Sequence, residues 1–236
     1  MAISLEASFP IVNVSSSFRT SFSQSITVGS GTNRIIVVAV VRDRVDTSSG
    51  ANTVAFNTSE TLADCGAGWI HPTQWSSVQF FYRVAPSNTT ANVDVTCPNA
   101  GSTYCGAAIW VLDGVHQTVP LRTSTPSNHA DTGAFSGSAI SDFAAGDYAL
   151  SILSIDSTGH SPAVTGNNVS DFSTQNFGTG SDEWQGSHNT TDGTLGWSWS
   201  TTTSPWSWLA LALVPDTYTP SVVPHIRVVS AGRRGV

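Results

Sequence analysis

The sequence predicts an all-β chain folded as an antiparallel β-sandwich, and three observations carry that expectation. Strand-length runs, either continuously apolar or alternating, recur at short intervals, and no longer window holds a helical period. Turn-forming residues separate nearly all of these runs. Charged residues make up only 11% of the chain, so Ser, Thr, Asn and Gly fill most polar positions, a composition that suits short strands better than exposed helices.

Taken in order, the expected strands cover Ile3–Val14, Phe18–Val28, Arg34–Arg44, Asn52–Asn57, Ser76–Val84, Ala91–Cys97 and Tyr104–Leu112. They continue with Phe135–Ser141, Asp147–Ile155, Val169–Phe177, Glu183–Asn189, Thr194–Ser200 and Trp206–Val214. Gly29-Ser-Gly31, Pro86-Ser-Asn88, Pro98-Asn-Ala-Gly101, Ala145-Gly-Asp147 and Asp192-Gly193 supply the chain reversals between them. The runs Ile35–Val41 and Ala107–Leu112 are apolar without interruption, as strands covered on both faces are. Val93-Asp-Val95 and Ala149–Ile155 mix polar with apolar positions and read as strands with one wet face, which implies two packed sheets. Asp113–Asp131, with two prolines and two histidines, reads as a long surface loop within one domain. Thirteen strands and no helix for parallel crossovers fit a sandwich of the jelly-roll type. Residues 30–215 form that sandwich, and residues 1–29 add N-terminal strands packed on or beside it.

Beyond Pro215, which ends the closing strand, residues 216–236 read as an extended C-terminal arm. The arm carries the β-prone segment His225–Val229 and a basic tip at Arg233 and Arg234. Strand-forming residues outside a sheet need a partner to pair with, so Ile226, Arg227, Val228, Val229, Arg233 and Arg234 are the candidate contacts to another subunit.

The net charge of -7, with nine Arg and no Lys, argues against nucleic-acid binding by the body. No apolar run is long enough for a membrane helix, and the N-terminus lacks a basic segment followed by an apolar one, so neither a membrane span nor a secretory signal is expected. Cys65, Cys97 and Cys105 match no zinc spacing. Cys97 ends one expected strand and Cys105 begins the next, so a disulfide between them is geometrically plausible, free buried thiols being the alternative. Five Asn-x-Ser/Thr sequons are what chance gives in a chain of this composition.

No catalytic motif stands out, and neither a metal nor a cofactor is expected. Asp182, Glu183, His188 and Asp192 admit a carboxylate-pair or calcium-loop reading, but adjacent residues of a strand point to opposite faces, so the simpler reading is a solvated turn. Ser127, His129 and Asp131 lack the Gly-x-Ser-x-Gly elbow of a hydrolase. Trp197, Trp199, Trp206 and Trp208 alternate with small residues, a spacing that builds either core or interface or a sugar-stacking platform. Trp69 and Trp75, flanking His71-Pro72, are the candidate glycan-stacking residues.

The succession Asn33–Val41, Val78–Pro86, Ala91–Val95 and Gly106–Pro120, followed by Gly146–Ile152 and Trp206–Pro215, resembles a jelly-roll, concanavalin-like module of bacteriophage virion proteins, found in head-decoration and tail-fibre components. The resemblance spans about residues 30 to 215 and rests on strand and turn residues. It implies a non-enzymatic capsid decoration (cement) subunit, located in the virion and assembled in the host cytoplasm. It further implies a homotrimer whose partners are the major capsid protein or copies of itself. The alternatives are a tail-fibre or surface adhesin that binds cell-surface glycan, and a filament subunit joined by strand exchange.

Overall fold

The computed structural model describes residues 2–11, 21–43, 51–70, 76–97, 104–123, 127–130, 138–156, 161–177, 183–198 and 204–218. Every regular element among them is a β-strand. In chain order these are β1 (Ser4–Ile11), β2 (Ser21–Thr27), β3 (Ile35–Asp43), β4 (Thr53–Phe56), β5 (Glu60–Thr61), β6 (Ala63–Ile70), β7 (Ser76–Val84), β8 (Thr90–Thr96) and β9 (Tyr104–Asp113). They are followed by β10 (Ser127–Ala130), β11 (Ser138–Ala139), β12 (Tyr148–Ile155), β13 (Ala163–Thr165), β14 (Val169–Ser170), β15 (Gln175–Asn176), β16 (Glu183–Asn189), β17 (Thr194–Ser198) and β18 (Trp206–Leu213).

All pairings are antiparallel, and the strands form four sheets stacked as layers rather than the two the sequence predicts. The first layer is β2-β8-β4-β5, the second β1-β9-β3-β7-β6, the third β10-β18-β12-β16-β14 with β15 also on β16, and the fourth β11-β17-β13. Alternation along the strands builds three cores between them. Ile36, Val38, Val40, Ala107, Ile109 and Val111 face Ile26, Val54, Phe56, Val93 and Val95 of the first layer. From the same strands Ile35, Val37, Ala39, Val41, Ala108, Trp110 and Leu112 face Tyr148, Leu150, Ile152, Leu209, Leu211 and Leu213 of the third. The other face of the third layer, with Ala149, Leu153, Ile155, Trp206, Trp208, Ala210 and Ala212, covers Leu195 and Trp197 of the fourth.

The unbroken apolar runs of β3 and β9 follow from this arrangement, because both of their faces are buried. Each fully buried Val, Leu or Ile contributes about 1.5–3 kcal/mol of transfer free energy. The same arrangement corrects the reading of Ala149–Ile155. All eight residues of β12 are buried, and its serines lie inside the stack rather than on a wet face. Ser151 and Ser187 satisfy each other across the β12–β16 pair, with their hydroxyl oxygens 2.8 Å apart.

Other elements depart from expectation for local reasons. Strand β6 does not appear in the sequence pattern, because Asp64, Gly66 and Gly68 break its alternation and its register with β7 shifts between Asp64 and Gly68. Within Asp113–Asp131, expected as a long surface loop, the described residues 113–123 and 127–130 are tied to the strands of the body. Val115 bridges Pro215, Leu121 bridges Leu213, and β10 pairs with β18. Val169–Phe177 is divided into β14 and β15 by a turn at Asp171 and Phe172. The N-terminal strands are hydrogen-bonded into the stack, β1 on β9 and β2 on β8. Cys97 and Cys105 form a disulfide that ties the end of β8 in the first layer to β9 in the second.

Candidate functional site

Two glycines and a proline shape the corner where the chain ends of the body meet. Gly114 adopts φ +75°, and a Cβ there would lie 2.6 Å from the backbone oxygen of Ala2, so only glycine lets the N-terminal segment pass this closely. The Gly114 carbonyl in turn accepts the Asp216 amide at 2.8 Å. Pro215 is buried, faces Gly146 and bridges Val115, which places the residues after β18 against the β9–β10 connection.

Tyr218, the last described residue, is held from three sides. Its amide donates to the Pro215 carbonyl at 2.9 Å. The Arg122 guanidinium carbon lies 4.6 Å from its ring centroid, and the His116 ring meets it edge-on at 6.2 Å and 75°. Arg122 is itself fixed by a two-pronged bond to Asp147, Nε to Oδ2 at 2.7 Å and a terminal nitrogen to Oδ1 at 2.9 Å. Asp147 is 1% exposed and also accepts the Ala144 amide at 2.8 Å. The hydrogen bonds from Arg122 to the Asp147 carboxylate push the guanidinium pKa further up, so the cation under Tyr218 is permanent. Asn33 completes the clamp, donating its side-chain amide to Asp216 at 3.1 Å.

A second constellation lies between the second and third layers. The Asp171 carboxylate is 1% exposed and accepts the Trp110 indole N–H at 2.7 Å; its other oxygen lies 2.5 Å from His188 Nδ1. In its carboxylate form Asp171 can only accept, so the proton between the two groups sits on Nδ1. Tyr148 stacks on His188 at 5.0 Å, and burial, then the Asp171 charge, push its phenol pKa up. Gly186 makes room, since a Cβ there would meet Phe172 and Trp110 atoms at 2.7 Å. Histidine positioned by a carboxylate is half of a general-base arrangement, but among the described residues no hydroxyl or thiol is hydrogen-bonded to His188. The cluster works as a polar staple between layers, reinforced by Ser8, whose hydroxyl donates to the Asp171 carbonyl at 3.1 Å.

A third feature is a polar cleft of about 280 Å³ between the β13–β14 and β16–β17 turns, lined by Thr165, Asn167, Asn168, Asp192 and Thr194 with Gly166 and Gly196. Hydrogen bonds from the Thr194 amide and the side chains of Asn189 and Asn167 hold the Asp192 carboxyl below its ordinary value.

Most residues singled out from the sequence are not brought together. Glu183 is buried and accepts the Ser161 amide at 3.2 Å, while His188, at odd spacing on the same strand, pairs with Asp171 on the opposite face. Glu183 is therefore no part of a solvated turn, and Asp182 lies outside the described residues. Among the described residues no group of three or more His, Cys, Asp or Glu could hold a metal ion. Trp197, Trp206 and Trp208 are core, each 3% exposed or less; Trp199 lies outside the described residues. Trp69 has a described backbone on β6, whereas Trp75, Asp131 and the arm residues Ile226, Arg227, Val228, Val229, Arg233 and Arg234 lie outside the described residues. Cys65 is unbonded, and burial, then the neighbouring Asp64 charge, push its thiol up to about 12, which makes it a poor nucleophile.

No family model, curated protein or solved structure matches the chain.

The clamp around Tyr218 escaped sequence reasoning because its members come from separate stretches of chain. One signal was available. In a chain with so few charges, Arg122 in the Asp113–Asp131 stretch called for a carboxylate partner, and the turn Ala145-Gly-Asp147 supplied one.

Proposed function

We propose that this chain is a non-enzymatic structural subunit of a virion, a capsid decoration or cement protein, whose terminal segments grip neighbouring subunits. The observation that carries the reading is the anchored root of the C-terminal segment. Arg122, Asp147, His116 and Asn33 fix Asp216 and Tyr218 to the body, so a pull on residues 219–236 is transmitted to the four-layer stack instead of peeling β18 away. The resemblance to virion jelly-roll modules supports the location. The disulfide supports it too, since such bonds persist on surfaces outside a reducing cytoplasm, virion surfaces included. The partner is an acidic neighbouring surface that meets Arg227, Arg233 and Arg234, either the major capsid protein or another copy of the chain.

Truncation tests this. A chain ending at Tyr218 keeps the clamp and folds as the parent does, and particles assembled with it lack the protein. Incorporation of the truncated chain at the parent's level overturns the assignment.

A further inference from the structure

Sheet edges differ sharply in how they are protected. Strand β1 carries a bulge between Leu5 and Ala7 and a proline at position 10, and β6 has an irregular register around two glycines. The remaining edges are short: β5, β11 and β14 have two residues each, β13 three and β10 four. Irregularity, proline and brevity are the usual devices that stop an edge from pairing with another chain. Strand β2 has none of them. Its seven residues pair with β8 in unbroken register, it holds no charge and no proline, and among the described residues no strand pairs with its outer edge.

The sequence of β2 is also symmetric about its middle. In Ser21-Phe-Ser-Gln-Ser-Ile-Thr27, Gln24 is flanked by Ser23 and Ser25, then by Phe22 and Ile26, then by Ser21 and Thr27. An antiparallel copy centred on Gln24 therefore sets hydroxyl against hydroxyl on the outer face and Phe22 against Ile26 on the inner face. Phe22 is half-buried at the margin of the first core, whereas Ile26 is already buried within it, so the partner's strand adds cover at the Phe22 ends of the contact. A chain of net charge -7 also meets itself here without charge repulsion along the strand.

We infer that β2 is the contact through which two copies of the chain join, edge to edge and antiparallel, about a twofold axis at Gln24, merging their first layers into one sheet of eight strands. The occupant is a second copy because the symmetry of the strand matches itself. This contact does not depend on the C-terminal segment, and it stands or falls separately from the virion reading.

Charge complementation on the full-length protein tests it. Across the axis each Gln24 faces its own copy, so Gln24→Lys places two cations and Gln24→Glu two anions side by side. Sedimentation of the parent gives an assembly of even subunit number, each variant alone gives half that mass with the parent's far-ultraviolet circular dichroism and a lower thermal midpoint, as loss of a partner requires, and an equimolar mixture of the two recovers the parent mass. A monomeric parent overturns the inference, as does a variant whose mass is unchanged. Variants that lose mass but do not recover it on mixing point to a different strand at this edge and overturn it as well.

Discussion

At the scale of single residues, polar groups inside the stack carry definite consequences. Glu6 is the extra residue of the β1 bulge, and its carboxyl group acts on that of Asp113. Burial, then the neighbouring Glu6, push the Asp113 carboxyl up to about 6, with Arg34 opposing. Because the folded value lies above the ordinary 3.8, the favourable contribution of protonated Asp113 is complete at low pH and is lost as pH rises through about 6. Thermal midpoints should therefore match for the parent and Asp113→Asn in acid, with the variant melting later at neutral pH. A gap that narrows with rising pH contradicts this. Asp171 predicts the opposite kind of result. Asp171→Ala strands the Trp110 and His188 N–H groups inside the stack, at about 1–3 kcal/mol each, while Asp171→Asn keeps an acceptor and loses less; urea unfolding of the pair measures the difference.

Elements show what a sequence conveys and what it leaves out. Strands β3, β9 and β18 were legible because burial on both faces demands apolar residues at every position, and nothing in the pattern competes with that demand. Strand β12 meets the same demand with two serines, one of them paired with Ser187, so a mixed pattern concealed a doubly buried strand, and with it two of the four layers. Strand β6 was hidden by its glycines, which weaken the alternation that a strand normally writes into sequence. The clamp and the Asp171 staple were illegible for a different reason. Their chemistry depends on register between strands far apart in sequence, and no local spacing encodes that. The clamp also yields a prediction at this scale. Arg122→Ala leaves the Asp147 carboxylate buried without its cation, a change that typically costs about 3–5 kcal/mol, whereas Tyr218→Ala removes only the ring on top and leaves the melting of the body nearly unchanged. Equal losses from the two substitutions would contradict the division of roles between them.

For the whole molecule, four layers joined by three cores and a disulfide make a stiff block with few large apolar groups on its surface; among the described residues only Val119 and Val169 are exposed in that class. On the proposed function, the contacts of this block are the edge of β2 and residues 219–236. Electron cryomicroscopy of the native assembly tests the central claim most directly. The account predicts the body seated on a shell, with residues 219–236 running from Tyr218 onto a neighbouring subunit and Arg227, Arg233 and Arg234 against its acidic side chains. A body attached through a sheet face, with that segment making no contact with a neighbour, would contradict it.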